Sequence, residues 1–195
     1  DIAERYYTVG QYMKEVKDVS KAMAAAGDSY ICDEYLNAMG SPEAESVYVL
    51  HDLNNDGIEE FFIGLKFNYD IPYYVIYDVY TWKDGRAYQL MRGIGYRNGS
   101  CKICENGVIE DNYSGTAWDG QTLYHILPEG GIELETIDSV SSRRDGTVQS
   151  YYHWNELIDE NSLQTILEQY QPESVTYVDC NRETIEQLRL SGIRK

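Results

Sequence analysis

The sequence predicts an α+β fold: an antiparallel β-meander sheet flanked by N-terminal and C-terminal helices. Three observations predict it. Apolar residues recur at 3–4 spacing at both ends of the chain, they alternate with period two through the middle, and the middle is punctuated by turn dipeptides. With 195 residues, of which 43% are hydrophobic, the chain is long enough for one domain with a true core. The expected layout is a single domain over 1–195, with a helical segment over 1–40, a meander over 45–154 and a helical segment over 155–195.

Residues 2–26 read as one helix. Ile2, Tyr6, Val9, Met13, Val16 and Met23 form the apolar stripe, and Gly27 is a natural stop. A shorter helix is expected from about Ser29 to Met39, ended by Gly40-Ser41-Pro42. The period then changes. Val47, Val49 and His51 alternate with Tyr48 and Leu50, and Phe61, Ile63, Leu65 and Phe67 alternate with Phe62, Gly64 and Lys66. Tyr73 to Trp82 is apolar on both faces, as a central strand would be. Asp84-Gly85, Asn98-Gly99, Asn106-Gly107, Asp119-Gly120, Gly130-Gly131 and Asp145-Gly146 then separate strand-length pieces. Such pairs admit positive φ and match hairpin twist. Leu163, Ile166, Leu167 and Tyr170 restore helical spacing, with Asn161 or Ser162 as the expected cap. A last strand is expected at Val175 to Val178, followed by a helix capped by Asn181.

Composition excludes some functions. Sixteen basic against 33 acidic residues give a formal net charge of −17, which repels phosphate backbones. The basic pairs Arg143-Arg144 and Arg194-Lys195 are too small to offset it, so nucleic acid is excluded as a partner. The apolar runs are too short to span a bilayer. The chain starts at Asp1 with no charged-then-apolar leader, which fits one removed by processing and is compatible with a lipid anchor upstream. Cys32, Cys101, Cys104 and Cys180 leave both free thiols and disulfides open. Cys101 and Cys104 lie between turn signals, on a short strand whose i and i+3 positions face opposite ways, so a bridge between these two is not expected.

The most specific feature is Asp52-Leu-Asn-Asn-Asp-Gly-Ile-Glu-Glu60. Calcium takes six to eight hard oxygen ligands around a tightly curled backbone. Asp52, Asn54 and Asp56 alternate, Gly57 permits the curl, the Ile58 carbonyl points inward and Glu60 supplies a carboxylate directly or through water. Position 12 of an EF-hand loop would be Ile63, inside a strand, so this is not an EF-hand. The expected ion is calcium in a structural role, tying two adjacent strands; the competing reading is a solvated acidic turn.

The string V-Y-V-L-H-D-L-N-N-D-G-I-E-E-F-F-I-G resembles the strand, D-x-N-x-D-G-x-x-E loop and apolar strand of exported proteins and lipoproteins of gut-type Gram-positive bacteria, with an FG-GAP-like, shortened EF-hand-type calcium loop. V-I-Y-D-V-Y-T-W-K-D-G, N-G-V-I-E-D-N-Y-S-G-T-A and S-L-Q-T-I-L-E-Q-Y extend the resemblance over residues 45–171. It implies an extracytoplasmic location and a calcium ion, and those families mostly lack an assigned activity. Glu59 stands where most such loops carry Pro, which touches no ligand.

No catalytic constellation stands out. His51, His125 and His153 are expected to be structural, and a Ser114–His125 couple has no nucleophile elbow around it. Tyrosine supplies 19 residues, with Tyr73, Tyr74, Tyr77, Tyr80, Trp82 and Tyr88 along one hairpin. At strand periodicity these are expected to be core, and any exposed Tyr or Trp would suit a glycan or protein ligand at a cell surface. The expected function is a non-catalytic, calcium-bearing binding or interaction module; a secreted hydrolase acting through a carboxylate pair or a Ser/His couple is the alternative.

Overall fold

The computed structural model describes residues 2–16, 31–94, 101–114, 118–128, 131–141 and 148–190. The fold is α+β and mostly strand, with two antiparallel sheets of eleven strands in all and four helices among the described residues. The chain forms two compact units. The first comprises Asp1–His51, Ile58–Ile94 and Val175–Lys195; the second comprises Asp52–Gly57 and Gly95–Ser174.

In the first unit, α1 (Ile2–Val16) and α2 (Asp33–Ala38) precede β1 (Ala44–His51), β2 (Glu60–Phe67), β3 (Tyr73–Lys83) and β4 (Arg86–Arg92). The expected helix over 2–26 is seen to Val16, and its remainder lies outside the described residues. The Cys32 thiol caps α2, accepting the Tyr35 N–H at 3.4 Å. The unit ends with β11 (Val178–Asp179), which shares only Val178 with the strand expected at Val175 to Val178, and α4 (Arg182–Leu190). The Asn181 carboxamide caps α4 as expected, accepting the N–H groups of Glu183 and Thr184 at 3.0 and 3.1 Å. Strand order is β11-β1-β2-β3-β4.

Directly opposed residues of an antiparallel pair share a face. One face of this sheet therefore carries Tyr48, Ile63, Leu65 and Tyr80. They pack with Tyr6 and Val9 of α1, Tyr35 and Leu36 of α2 and Ile185 of α4. The opposite face, with Val47, Val49, Phe62 and Val79, is buried too, as the two-faced apolar pattern of β3 predicted.

The second unit is a meander in the order β10-β9-β8-β7-β6-β5. Its strands are β5 (Cys101–Cys104), β6 (Val108–Ser114), β7 (Trp118–Ile126), β8 (Ile132–Ser141), β9 (Val148–His153) and β10 (Glu156–Ile158). Helix α3 (Glu160–Leu167) packs Leu163 and Ile166 against Cys104, Leu123 and Ile137. Its cap is Asp159, whose carboxylate accepts the Ser162 N–H at 2.7 Å, rather than Asn161 or Ser162. All three residue types cap well, and the short β10 ends just before Asp159, so the helix starts earlier than its apolar spacing indicates. The meander is thus divided into two sheets rather than running through one.

Candidate functional site

Of the five residues expected to hold calcium, Asp52, Asn54 and Asp56 belong to the second unit, and Ile58 and Glu60 to the first. The Asp52 carboxylate accepts the N–H of Asp56 at 3.1 Å and of Gly57 at 2.9 Å, which curls the backbone around it. Asn54 Oδ1 accepts the same Asp56 N–H at 3.2 Å, and its Nδ2 donates to Asp56 Oδ2 and to the Leu127 carbonyl, both at 3.1 Å. Asn55 and Gly57 take left-handed φ values of 57° and 87°. These two positions let the three side chains meet; Gly is at ease there, and Asn tolerates it. Two carboxylates and one amide within hydrogen-bond reach fit a hard divalent cation.

Glu60 is placed differently from a loop side chain. It opens β2 opposite His51 and is fully buried, and Oε1 accepts the Thr81 hydroxyl at 3.1 Å. Ile58 is 38% exposed. Among the described residues no cluster of three or more His, Cys, Asp or Glu side chains is placed to hold a metal ion. Calcium draws also on amide and backbone oxygens, which such a cluster does not include.

The tyrosines divide. Tyr77 and Tyr80 are core, each 6% exposed, whereas Tyr73 and Tyr88 are about half exposed. The sequence reading missed Tyr69, in the loop between β2 and β3. The rings of Phe67, Tyr73 and Tyr69 lie nearly parallel: Phe67–Tyr73 are 4.9 Å apart at 18°, and Tyr69–Tyr73 5.9 Å apart at 14°. Tyr69 is 51% exposed, and Ile71 beside it 82%. Pro72 and the turn after Phe67 were the available signal, since they set an aromatic on each side of a short loop.

A second cluster was also missed. On adjacent strands β7, β8 and β9, His125 Nε2 and His153 Nε2 lie 2.9 and 2.7 Å from the two oxygens of Glu135, and Tyr170 donates its hydroxyl at 2.7 Å. Burial works to raise the Glu135 carboxyl, but the hydrogen bonds from Tyr170, His153 and His125 outweigh it and hold the group below its ordinary range. An ionised carboxylate only accepts, so both imidazoles donate from Nε2. The cluster fastens the segment after α3 to its sheet.

The sign of the resulting pH dependence follows. A depressed folded pKa contributes stability above the unfolded value near 4.5, and that stability is lost as pH falls through the folded value. Urea unfolding of the parent is expected to weaken below pH 4.5, with a shallower acid slope in Glu135→Gln; equal slopes would show that another group sets it. Gln offers one oxygen to three donors, so the variant is expected to lose about 2 kcal/mol at neutral pH.

Ser114 and His125 are not brought together along the sheet. Ser114 pairs with Asp119, at the far end of the β6–β7 ladder from His125, which pairs with Val108. Six residues of strand separate them, about 20 Å. All four cysteines are free and buried. Burial pushes Cys180 up to about 12, and burial with the Glu110 charge pushes Cys104 up to about 11, so neither presents a thiolate at neutral pH. Cys101 pairs with Asp111 and Cys104 with Val108, which sets the two thiols on opposite faces as expected.

No helix among the described residues is long and apolar enough to cross a membrane. No protein-family model, curated protein or solved structure matches the chain.

Proposed function

We propose that the chain is a non-catalytic, extracytoplasmic binding domain at a cell surface, in which Asp52, Asn54 and Asp56 hold a structural calcium ion and the Phe67–Tyr73–Tyr69 stack contacts a glycan. The observation that carries the reading is the stack itself. Tyr73, which opens β3, and Tyr69, in the loop before it, stand half exposed, held parallel by each other and by Phe67, which is 7% exposed. A rigid, parallel pair loses little conformational entropy on binding, and each ring offers an apolar face with a hydroxyl at its edge, which suits a sugar ring. The curled, acidic loop supports the calcium ion. The net charge of −17 supports a calcium-rich exterior, and it disfavours anionic partners.

The test is a glycan array probed with the parent, Tyr69→Ala and Tyr73→Ala. Retention of one glycan class is expected, with about tenfold or greater weakening in each variant. Silence across a broad panel, or equal binding by all three proteins, would overturn the glycan assignment. Melting temperatures close to the parent's would confirm that the variants are folded.

A further inference from the structure

We infer that the first unit carries a separate binding cleft for an organic cation, an ammonium or guanidinium on an apolar body. The cleft has a volume of about 1100 Å³, at the upper end of small-molecule sites. Its origin lies in the sheet. Leu50 opposes Phe61, Phe61 opposes Tyr80, and Trp82, two residues on, opposes Ala87, so all five share one face across four strands. This is the same face that α1, α2 and α4 cover around Tyr48, Ile63 and Leu65. Toward the Leu50 and Trp82 end the helices become its walls, with Ile2 to Glu4 on one side and Leu188 to Leu190 on the other. Leu50, Phe61 and Trp82, on β1, β2 and β3, are left half-buried as a floor two inter-strand steps wide, on the order of 10 Å.

The charge of the lining selects the ligand. Among the described residues that line the cleft, Glu4, Glu59 and Glu186 face a single cation, Arg189. Arg189 bonds Glu4 and lies 3.5 Å from Glu186, so its charge is already engaged on the wall. A carboxylate or phosphate entering here meets a surplus of negative charge. A cation meets that surplus and the aromatic floor of Trp82 and Phe61, where ring faces attract positive charge. The inference depends neither on the tyrosine stack nor on an ion at Asp52, Asn54 and Asp56; from the acidic loop it uses Glu59 alone.

The experiment is fluorescence anisotropy with three matched probes at constant calcium: dansylcadaverine, which carries an ammonium; dansylamide, which is neutral; and dansylglycine, which carries a carboxylate. Dansylcadaverine is expected to bind about tenfold or more tightly than dansylglycine, and more weakly as salt is added. Trp82→Ala is expected to weaken it about tenfold, while Trp82→Phe keeps the floor and the binding. Glu59→Gln, at an exposed position, is expected to narrow the preference for the cation without affecting folding. Equal binding of the three probes would overturn the inference. So would cation binding that ignores both Trp82→Ala and Glu59→Gln, since it would report only the acidic surface.

Discussion

Gly64→Ala is expected to destabilise the first unit by about 4 kcal/mol or more, lowering its melting transition by about 10 °C or abolishing it. The reason is a collision of backbone. A Cβ on Gly64 would stand 2.1 Å from the Val75 carbonyl oxygen, 3.0 Å from its carbon and 3.1 Å from Ile76 Cα. None of these atoms is the end of a flexible side chain. The close approach is created by the irregularity in the β2–β3 ladder: Ile63 pairs with Asp78 but Gly64 with Ile76, leaving Tyr77 as the extra residue. Tyr77 uses that bulge to reach the core, where its ring meets Tyr35 edge-on at 5.9 Å. An alanine at 64 must therefore either undo the bulge or bend β2 away from β3. Gly57→Ala is the contrasting control. Its φ is 87°, but nothing lies within 4 Å of the added carbon, so the cost is only the conformational one, about 1 kcal/mol. Thermal melts by circular dichroism read both; a Gly64→Ala transition within 3 °C of the parent's would show that the bulge adapts.

The contrast marks what a sequence shows. Gly64 lies in an apolar alternating run, and its alternation gave the strand correctly, but the alternation cannot show a carbonyl arriving from residue 75. The same limit explains Glu60. Read along the chain, it is the last oxygen of an acidic loop. Read across the sheet, it is the first residue of β2, and its hydrogen bond from Thr81 is a property of strand pairing. His125, Glu135, His153 and Tyr170 are scattered over 46 positions and become a cluster only once three strands are in register. Local signals fared better. Helical spacing placed α1, α3 and α4, the Asn181 cap was found, and Asn106-Gly107 makes the β5–β6 turn with φ values of 65° and 77°. The curl of the acidic loop was legible because every atom that makes it, apart from the Leu127 carbonyl, lies within six residues.

That loop carries the second large expectation. In millimolar calcium the parent is expected to melt about 5–10 °C higher than in EDTA, and Asp56→Ala is expected to lose the difference. At 100 times the dissociation constant, an ion that binds only the folded state adds about 2.7 kcal/mol. Asp56 is the decisive position because its carboxylate and its backbone are both engaged within the loop: Asn54 Nδ2 donates to its side chain, and its own N–H is shared between Asp52 and Asn54. Those donors partly offset the charge of two neighbouring carboxylates, as they would in a purely structural turn. A cation supplies a far larger counter-charge, so the two readings differ in magnitude and in their response to chelation. Asp56→Asn separates charge from shape. It keeps the hydrogen-bonding outline and removes one negative charge, so a calcium site is expected to weaken while the chelated protein melts as before. A parent that melts identically in calcium and EDTA would make the loop an acidic turn held by its own N–H groups, and the extracytoplasmic reading would lose its main support. A shift present in the parent, reduced in Asp56→Asn and absent in Asp56→Ala would establish the ion as part of the fold.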